Sequence, residues 1–233
     1  MFRHNIIITI LSVTIMNQPA IADLPRNNSP EELERWFNSN DDDKSWKPED
    51  INDGQLSFLT RKPRLAPHVA DNRITITTDS LSHGWVLLTQ CHTQLDIMPA
   101  AQIVYQNQPV KRLRIIEQSN IGKSWVEANS VQLKHIRENA KICVQAEIKA
   151  LTKLAGQQYS LNTGPYRRKF LDGYFPVALS LSIKYPPELK AVQFLPQAQP
   201  GMEIVSKNQS ITINALFEGE LTSTIRFSSK TSR

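Results

Sequence analysis

From residue 73 onward, short runs rich in β-branched and aromatic residues alternate with residues that favour turns. Regularly spaced runs of this kind are typical of all-β domains. We therefore predict a mainly β fold, a β-sandwich or open barrel with one or two short helices, over residues 73–233. The predicted strands cover residues 73–77, 84–91, 102–106, 110–116, 124–133, 177–185, 191–194, 210–217 and 221–227. Between two of them, Asn107-Gln108-Pro109 predicts a hairpin, and Glu218-Gly219-Glu220 predicts a turn.

Residues 140–154 fit two kinds of secondary structure. Ile142, Val144, Ala146 and Ile148 alternate as the buried residues of a strand do. The same segment also places apolar residues on one helical face, and its Ala, Glu, Lys and Leu content favours a helix between Asn139 and Gly156 as caps. We predict a helix here and keep the strand as the alternative.

The first 22 residues have the composition of a cleavable export signal. Arg3 provides the positive charge, residues 6–16 form a short apolar run, and Ala20-Ile21-Ala22 is a small-x-small cleavage site. We expect cleavage after Ala22 and a periplasmic protein. A signal anchor or a buried N-terminal helix is the alternative. No later stretch has the length of a transmembrane helix, so none is expected in the mature chain.

Two cysteines remain after export, Cys91 and Cys143. An oxidising compartment favours their pairing, so we predict a disulfide between them. Two free thiols or a redox pair are the alternatives, although the Cys-x-x-Cys pattern of redox pairs is absent. If residues 140–154 form a strand, the bridge resembles the inter-sheet disulfide of an immunoglobulin-like sandwich.

Residues 23–72 form an acidic segment in a chain whose net charge is +5. The segment contains few apolar residues, and we expect a largely disordered leader. One short helix is predicted near residues 30–37, because Ser29, Pro30 and Glu32 make a capping pattern. The leader is either a solvated tail or an electrostatic latch on the basic remainder.

Motifs for the common catalytic chemistries do not occur in the sequence. It contains no Gly-x-Ser-x-Gly nucleophile motif, Walker loop or dinucleotide fingerprint. Cys91, His92 and Met98 are residue types of a blue-copper site, but adjacent side chains on a strand point to opposite faces. We therefore expect no catalytic residue, no metal and no cofactor.

A basic and aromatic segment follows residue 162. Thr163 is predicted to cap a short helix, and the charged and aromatic side chains around it form a candidate anion site. The predicted ligand-binding residues are Tyr166, Arg167, Arg168, Lys169 and Tyr174. The alternative is a connecting loop whose aromatics seal the core while its arginines stay solvated. Expected partners are an anionic lipid headgroup, a polysaccharide or another envelope protein, and no nucleic acid.

Three segments resemble a group of exported proteobacterial proteins with no assigned function. They are HGWVLLTQCHTQLD (residues 83–96), SVQLKHIRENAKICVQAE (130–147) and GPYRRKFLDGYFP (164–176). The resemblance covers most of residues 73–185. It implies a Gram-negative periplasm and carries over no functional residue.

These observations predict an exported non-catalytic binding or envelope-assembly protein that recognises an anionic envelope ligand. The alternative is a hydrolase that acts on envelope material. An acid pair or catalytic triad in a pocket would favour the hydrolase, whereas a basic or apolar surface without one would favour the binding protein.

Overall fold

A computed structural model describes residues 52–64, 66–105, 107–170 and 173–229. The chain divides into a unit of residues 1–45 and a second unit of residues 46–233. The predicted export signal, the helix near residues 30–37 and most of the acidic leader lie outside the described residues.

The described part of the second unit contains fifteen strands and one four-residue helix, α1 (Ser80–His83). The mainly β prediction is therefore confirmed. The strands are β1 (Ser57–Phe58), β2 (His68–Thr75), β3 (Trp85–Thr93), β4 (Met98–Val104), β5 (Val110–Glu127), β6 (Ser130–Lys149), β7 (Leu151–Lys153), β8 (Gln158–Tyr166), β9 (Arg168–Phe170), β10 (Gly173–Phe175), β11 (Val177–Lys184), β12 (Leu189–Leu195), β13 (Met202–Lys207), β14 (Ser210–Glu218) and β15 (Leu221–Ser229).

Nine of these strands form the main sheet. Its order is β1-β14-β11-β2-β3-β6-β4, with β13 also paired to β14 and β5 also paired to β6. The β2–β11 pair is parallel, and every other pair in this sheet is antiparallel. A four-stranded sheet has the order β12-β15-β8-β7, and β9 and β10 form a separate two-stranded ribbon.

The two larger sheets share one hydrophobic core. Leu181 and Ile213 of the main sheet and Leu161 and Phe227 of the four-stranded sheet belong to the same buried cluster. Strict alternation along the strands produces this arrangement, since every second side chain points to the same face. In β11, for example, Val177, Leu179, Leu181 and Ile183 are buried, and the residues between them are not.

The helix predicted over residues 140–154 is wrong. Residues 140–149 are the second half of β6, and residues 151–153 form β7. Ile142, Val144, Ala146 and Ile148 are all buried, as the strand alternative requires. β6 pairs with β3 on one edge and with β5 on the other. Tertiary pairing on both edges therefore outweighs the helix propensity of the Ala, Glu and Lys residues.

The disulfide between Cys91 and Cys143 is confirmed. The two residues lie directly opposite each other on β3 and β6, with their Cα atoms 4.0 Å apart. The bridge therefore joins neighbouring strands of one sheet, and the comparison with an inter-sheet immunoglobulin bridge is wrong. Cys143 faces away from the main core but is still buried, since its sulfur is bonded to Cys91 and lies 3.6 Å from a Glu117 carboxylate oxygen.

Three local predictions also differ from the structure. Residues 124–133, predicted as one strand, contain the turn at residues 128–129 that joins β5 to β6. Residues 107–109 do not close a hairpin, because β4 and β5 both pair with residues 130–136 of β6 and so lie on its opposite edges. The helix predicted to begin at Thr163 is wrong as well, since Thr163 lies within β8 and pairs with Ser223 of β15. The predicted turn at residues 218–220 connects β14 to β15 as expected.

The first long strand begins earlier than the sequence pattern indicates. β2 starts at His68 rather than at residue 73, and Asn72, in its middle, is completely buried. A buried asparagine and a histidine interrupt the apolar alternation, so hydrophobicity alone does not show that these residues belong to a core strand. This polar stretch of β2 lies in the wall of a cavity between the sheets.

Candidate ligand-binding cavity

A cavity of about 790 Å³ lies between the main sheet and the four-stranded sheet, and we call it the inter-sheet cavity. Its size falls in the range of small-molecule sites. Strands β2, β3, β4 and β6 supply most of its wall, and the Thr163–Arg168 stretch closes another side. Its apolar lining includes Leu88, Met98, Ile103, Leu133 and Ile136.

Two histidines lie side by side in the wall of this cavity. His68 on β2 and His92 on β3 share a hydrogen bond of 2.7 Å between His68 Nε2 and His92 Nδ1. His92 is only 8% exposed. Among the described residues, its other ring nitrogen, Nε2, has no hydrogen-bond partner. An unpaired buried nitrogen is costly in a folded protein, so this atom is the strongest indication of a ligand-binding role.

Both imidazoles are held in the neutral form. Burial, followed by the charge of His68, lowers the pKa of His92 to about 3. Burial, followed by the nearby Arg168, lowers the pKa of His68 to about 4, and Asp96 opposes this effect. The shared hydrogen bond requires one neutral ring to donate and the other to accept, so the tautomer of His92 depends on that of His68.

A second polar group follows the same faces of β2 and β3. Gln90 Nε2 donates to Asn72 Oδ1 at 2.6 Å, and the Tyr105 hydroxyl donates to Gln90 Oε1 at 2.6 Å. Asn72 Nδ2 in turn donates to the Ala70 carbonyl at 3.4 Å. These side chains satisfy one another, which fixes their orientation in the wall.

The tyrosines that line the cavity are also neutral. Burial raises the pKa of Tyr166 to about 12, and burial with the adjacent Tyr166 raises the pKa of Tyr105. Together with the neutral histidines, this wall presents hydrogen-bonding groups without formal charge.

One ion pair lines the same cavity. Arg168 forms a two-pronged pair with Asp96, with Nε donating to Oδ2 at 3.0 Å and Nη2 donating to Oδ1. A third guanidinium nitrogen donates to the Ala66 carbonyl at 3.3 Å, and the rings of Phe170 and Phe175 lie 5.7 and 5.6 Å from the guanidinium carbon. The Arg168 side chain is 11% exposed, so this charge is largely buried and already neutralised by Asp96.

The remaining predicted site residues have partners on the protein. Arg167 pairs with Glu220, and the Tyr174 hydroxyl donates to the same carboxylate at 2.8 Å. Lys169 lies over the Tyr174 ring at 5.1 Å. The structure therefore brings Tyr166, Arg167, Arg168 and Lys169 to the cavity lining, whereas Tyr174 is not part of it.

Sequence reasoning missed four central residues of the site: His68, Asn72 and Gln90 were not considered, and His92 was considered only as a copper ligand and set aside. The sequence does carry a signal for these residues. They occupy every second position of their strands, on the face where apolar residues are otherwise found. The pattern His-x-Ala-x-Asn-x-Ile covers residues 68–74, and Leu-x-Gln-x-His covers residues 88–92. Polar residues in phase with a core face indicate either a buried network or a site.

The ionisable side chains of the cavity lining bear on the hydrolase alternative. Its described lining includes His68, His92 and Asp96 but no serine or cysteine as a nucleophile. Over the described part of the chain, no group of three or more His, Cys, Asp or Glu side chains is arranged to hold a metal ion. A second concavity of about 560 Å³ lies on β11 and β14, and Glu203 is the only ionisable residue in its described lining.

Comparisons with known proteins give little information about this site. No protein-family model and no curated protein matches the chain. A solved structure of Legionella pneumophila aminopeptidase A in complex with aspartic acid matches with a TM-score of 0.33 and 10% sequence identity. The match covers 75% of this chain but 23% of that protein. A TM-score of this size does not establish a shared fold.

In the part of the chain that the structure describes, no helix has the length and apolar character needed to cross a membrane.

Proposed function

We propose that this chain is an exported, non-catalytic binding protein whose ligand occupies the inter-sheet cavity. The buried Nε2 atom of His92, which lacks a partner among the described residues, is the observation that carries the proposal. A ligand that reaches this nitrogen would satisfy it, and the apolar lining would cover the rest of the molecule.

The basic segment contributes to this site as a wall rather than as a separate anion site. Arg167 and Arg168 already contact the carboxylates of Glu220 and Asp96. An external anion would have to displace those carboxylates, which are held close to the arginines by the fold. The anionic ligand expected from the sequence is therefore less well supported than a ligand of the cavity.

We place the protein in the periplasm. The Cys91–Cys143 disulfide is compatible with an oxidising compartment outside the cytoplasm. The export signal that would direct it there lies in residues 1–22, outside the described part of the chain.

The side chains around His68 and His92 favour a binding role over hydrolysis. His68 and His92 hydrogen-bond to each other, and no hydroxyl or thiol nucleophile is shown in contact with either ring within the described residues. A histidine that activates a nucleophile has to be within hydrogen-bonding reach of it.

The proposal is tested by asking what the protein retains from its native envelope. The exported protein is purified without detergent, denatured in organic solvent and analysed for small molecules by mass spectrometry. The Ala101→Trp variant fills the cavity lining, and Ala155→Trp places the same side chain on an exposed turn outside it.

A molecule present in near-stoichiometric amount with the wild type and Ala155→Trp, and lost from Ala101→Trp, supports the proposal. Equal retention by all three folded proteins would place binding elsewhere and overturn it. Circular dichroism confirms that each variant keeps its β fold.

A further inference from the structure

We propose that the ligand of the inter-sheet cavity carries an uncharged hydroxyl group, which hydrogen-bonds to His92 Nε2, and that a hydrocarbon chain extends from it along the apolar lining. This inference rests on the proposed function and names the chemical class of the ligand: an uncharged amphipathic alcohol. It follows from the charges, the hydrogen-bonding capacity and the apolar surface of the cavity.

The charges around the cavity argue against an ionised head group beside His92. Arg168 is paired with Asp96, Arg167 is paired with Glu220, and Lys169 lies over the Tyr174 ring. The charged groups that act on the histidine pair are Arg168 and Asp96, and these two already neutralise each other. An anion or a cation placed at His92 would therefore be buried without a free counter-ion beside it, which is strongly unfavourable. An uncharged group avoids this cost.

The hydrogen bond between the histidines argues for a hydroxyl in particular. If His68 donates to His92 Nδ1, then His92 Nε2 carries a proton and donates to the ligand. If His92 Nδ1 donates instead, Nε2 is an acceptor. A hydroxyl both donates and accepts, so it fits either arrangement. A carboxylate can only accept, and an ammonium can only donate.

The apolar lining defines the rest of the ligand. Leu88, Ile103, Leu133 and Ile136 line the cavity from three neighbouring strands, and Met98 adds a flexible side chain. Thioether side chains adapt to irregular apolar ligands. A hydrocarbon chain gains from burial against these side chains, and the 790 Å³ volume accommodates a chain of moderate length.

Four ten-carbon compounds test the head-group inference: decane, decan-1-ol, decanoate and decylammonium. Their affinities are measured by isothermal titration calorimetry at pH 7 with the full exported protein. We expect decan-1-ol to bind about 10-fold or more tightly than either charged compound. We also expect it to bind about 3- to 10-fold more tightly than decane, as one net hydrogen bond implies.

Variants identify the nitrogen involved. His92→Phe keeps an aromatic ring but removes the hydrogen bond, so its affinity for decan-1-ol should fall to that for decane. His135→Phe makes the same change at an exposed position outside the cavity lining and should behave as the wild type. If His92→Phe does not fold, the ¹⁵N shift of His92 Nε2 in the wild type still reports contact, since it should move with decan-1-ol and not with decane.

The outcomes separate the two proposals. Tighter binding of decanoate or decylammonium than of decan-1-ol, weakened by Ala101→Trp, leaves the cavity as a binding site and overturns the hydroxyl inference. Failure of all four compounds to bind, together with no molecule retained from the envelope, overturns the proposed function as well. A parallel titration with 1-monodecanoylglycerol distinguishes an uncharged lipid from a free alcohol as the source of the hydroxyl.

Discussion

At the residue scale, the two neighbouring arginines of the basic segment have different environments. Arg168 is 11% exposed and paired with Asp96, whose side chain is 30% exposed. Arg167 is 36% exposed and paired with Glu220, whose side chain is 34% exposed. A buried charge that loses its partner is much more costly than a solvated one. The two arginines cannot be told apart from the sequence, whereas in the fold Arg168 forms a largely buried ion pair and Arg167 a more exposed one.

Replacing each arginine by glutamine should therefore have unequal effects. Arg168→Gln leaves Asp96 without its cation and should lower the free energy of unfolding by about 1–3 kcal/mol. Arg167→Gln should lower it by less than about 1 kcal/mol. Urea unfolding followed by tryptophan fluorescence measures both. Equal losses would show that the burial of Arg168 does not matter.

The buried histidine pair makes stability depend on pH. The ordinary pKa of histidine is 6.5, while burial lowers the pKa of His68 to about 4 and that of His92 to about 3. Between pH 6.5 and 4 the unfolded chain therefore binds more protons than the folded chain. Stability rises with pH in that window and is lost as the solution is acidified.

Acidification from pH 7 to pH 5 should lower the free energy of unfolding by about 2 kcal/mol for each of the two histidines. The double variant His68→Gln/His92→Gln cannot titrate at these positions and should show a correspondingly smaller loss. His135→Gln, at an exposed position, serves as the matched control. Urea midpoints at pH 5, 6 and 7 give the slopes, and identical slopes for wild type and double variant would contradict the assignment.

At the element scale, β6 organises the main sheet. Its 20 residues pair with β5 along one edge and with β4 and β3 in succession along the other. The Cys91–Cys143 bridge covalently fixes the β3–β6 register at the point where the cavity-facing residues His92 and Gln90 lie close by on β3. The disulfide therefore supports the wall of the proposed site as well as the fold.

Removing the bridge should destabilise the protein without changing its topology. The half-cystines are 52 residues apart, and the chain-entropy relation gives roughly 4 kcal/mol for a loop of that length. The variant Cys91→Ala/Cys143→Ala should lose about 2–4 kcal/mol in urea unfolding. An unchanged midpoint in the absence of reductant would show that the strand pairing alone holds this register.

At the scale of the whole molecule, residues assigned to the leader from their composition are part of the β fold. β1 pairs with β14, Leu59 N–H donates to the Leu216 carbonyl, and Glu220 N–H donates to the Gly54 carbonyl. Asn52 also forms a bridge with Tyr174. The short segment 52–59 thus covers the end of the main sheet, where β14 turns into β15.

Close backbone packing makes this contact testable with two glycines. At Gly219, with φ +83°, a Cβ atom would lie 2.2 Å from the Gln55 carbonyl oxygen. At Gly156, with φ +65°, a Cβ atom would meet nothing within 4 Å. Both substitutions carry the penalty for a side chain at positive φ, but only the first also displaces segment 52–59.

Gly156→Ala should therefore cost about 1 kcal/mol, and Gly219→Ala should cost at least about 2 kcal/mol more. Thermal or urea unfolding of the two alanine variants gives the difference. Similar losses at both positions would mean that segment 52–59 does not pack closely on the β14–β15 turn.

The sequence by itself determined the mainly β class, the positions of several strands such as β3, β11, β14 and β15, and the pairing of Cys91 with Cys143. Period-two alternation and cysteine parity are local or compositional properties, so they can be read without knowledge of neighbours. Only the tertiary structure decided that residues 140–149 are a strand, because pairing on two edges outweighs helix propensity there. It also decided which polar residues form the candidate site. His68 and His92 are 24 positions apart in the sequence and come together only because β2 and β3 pair side by side.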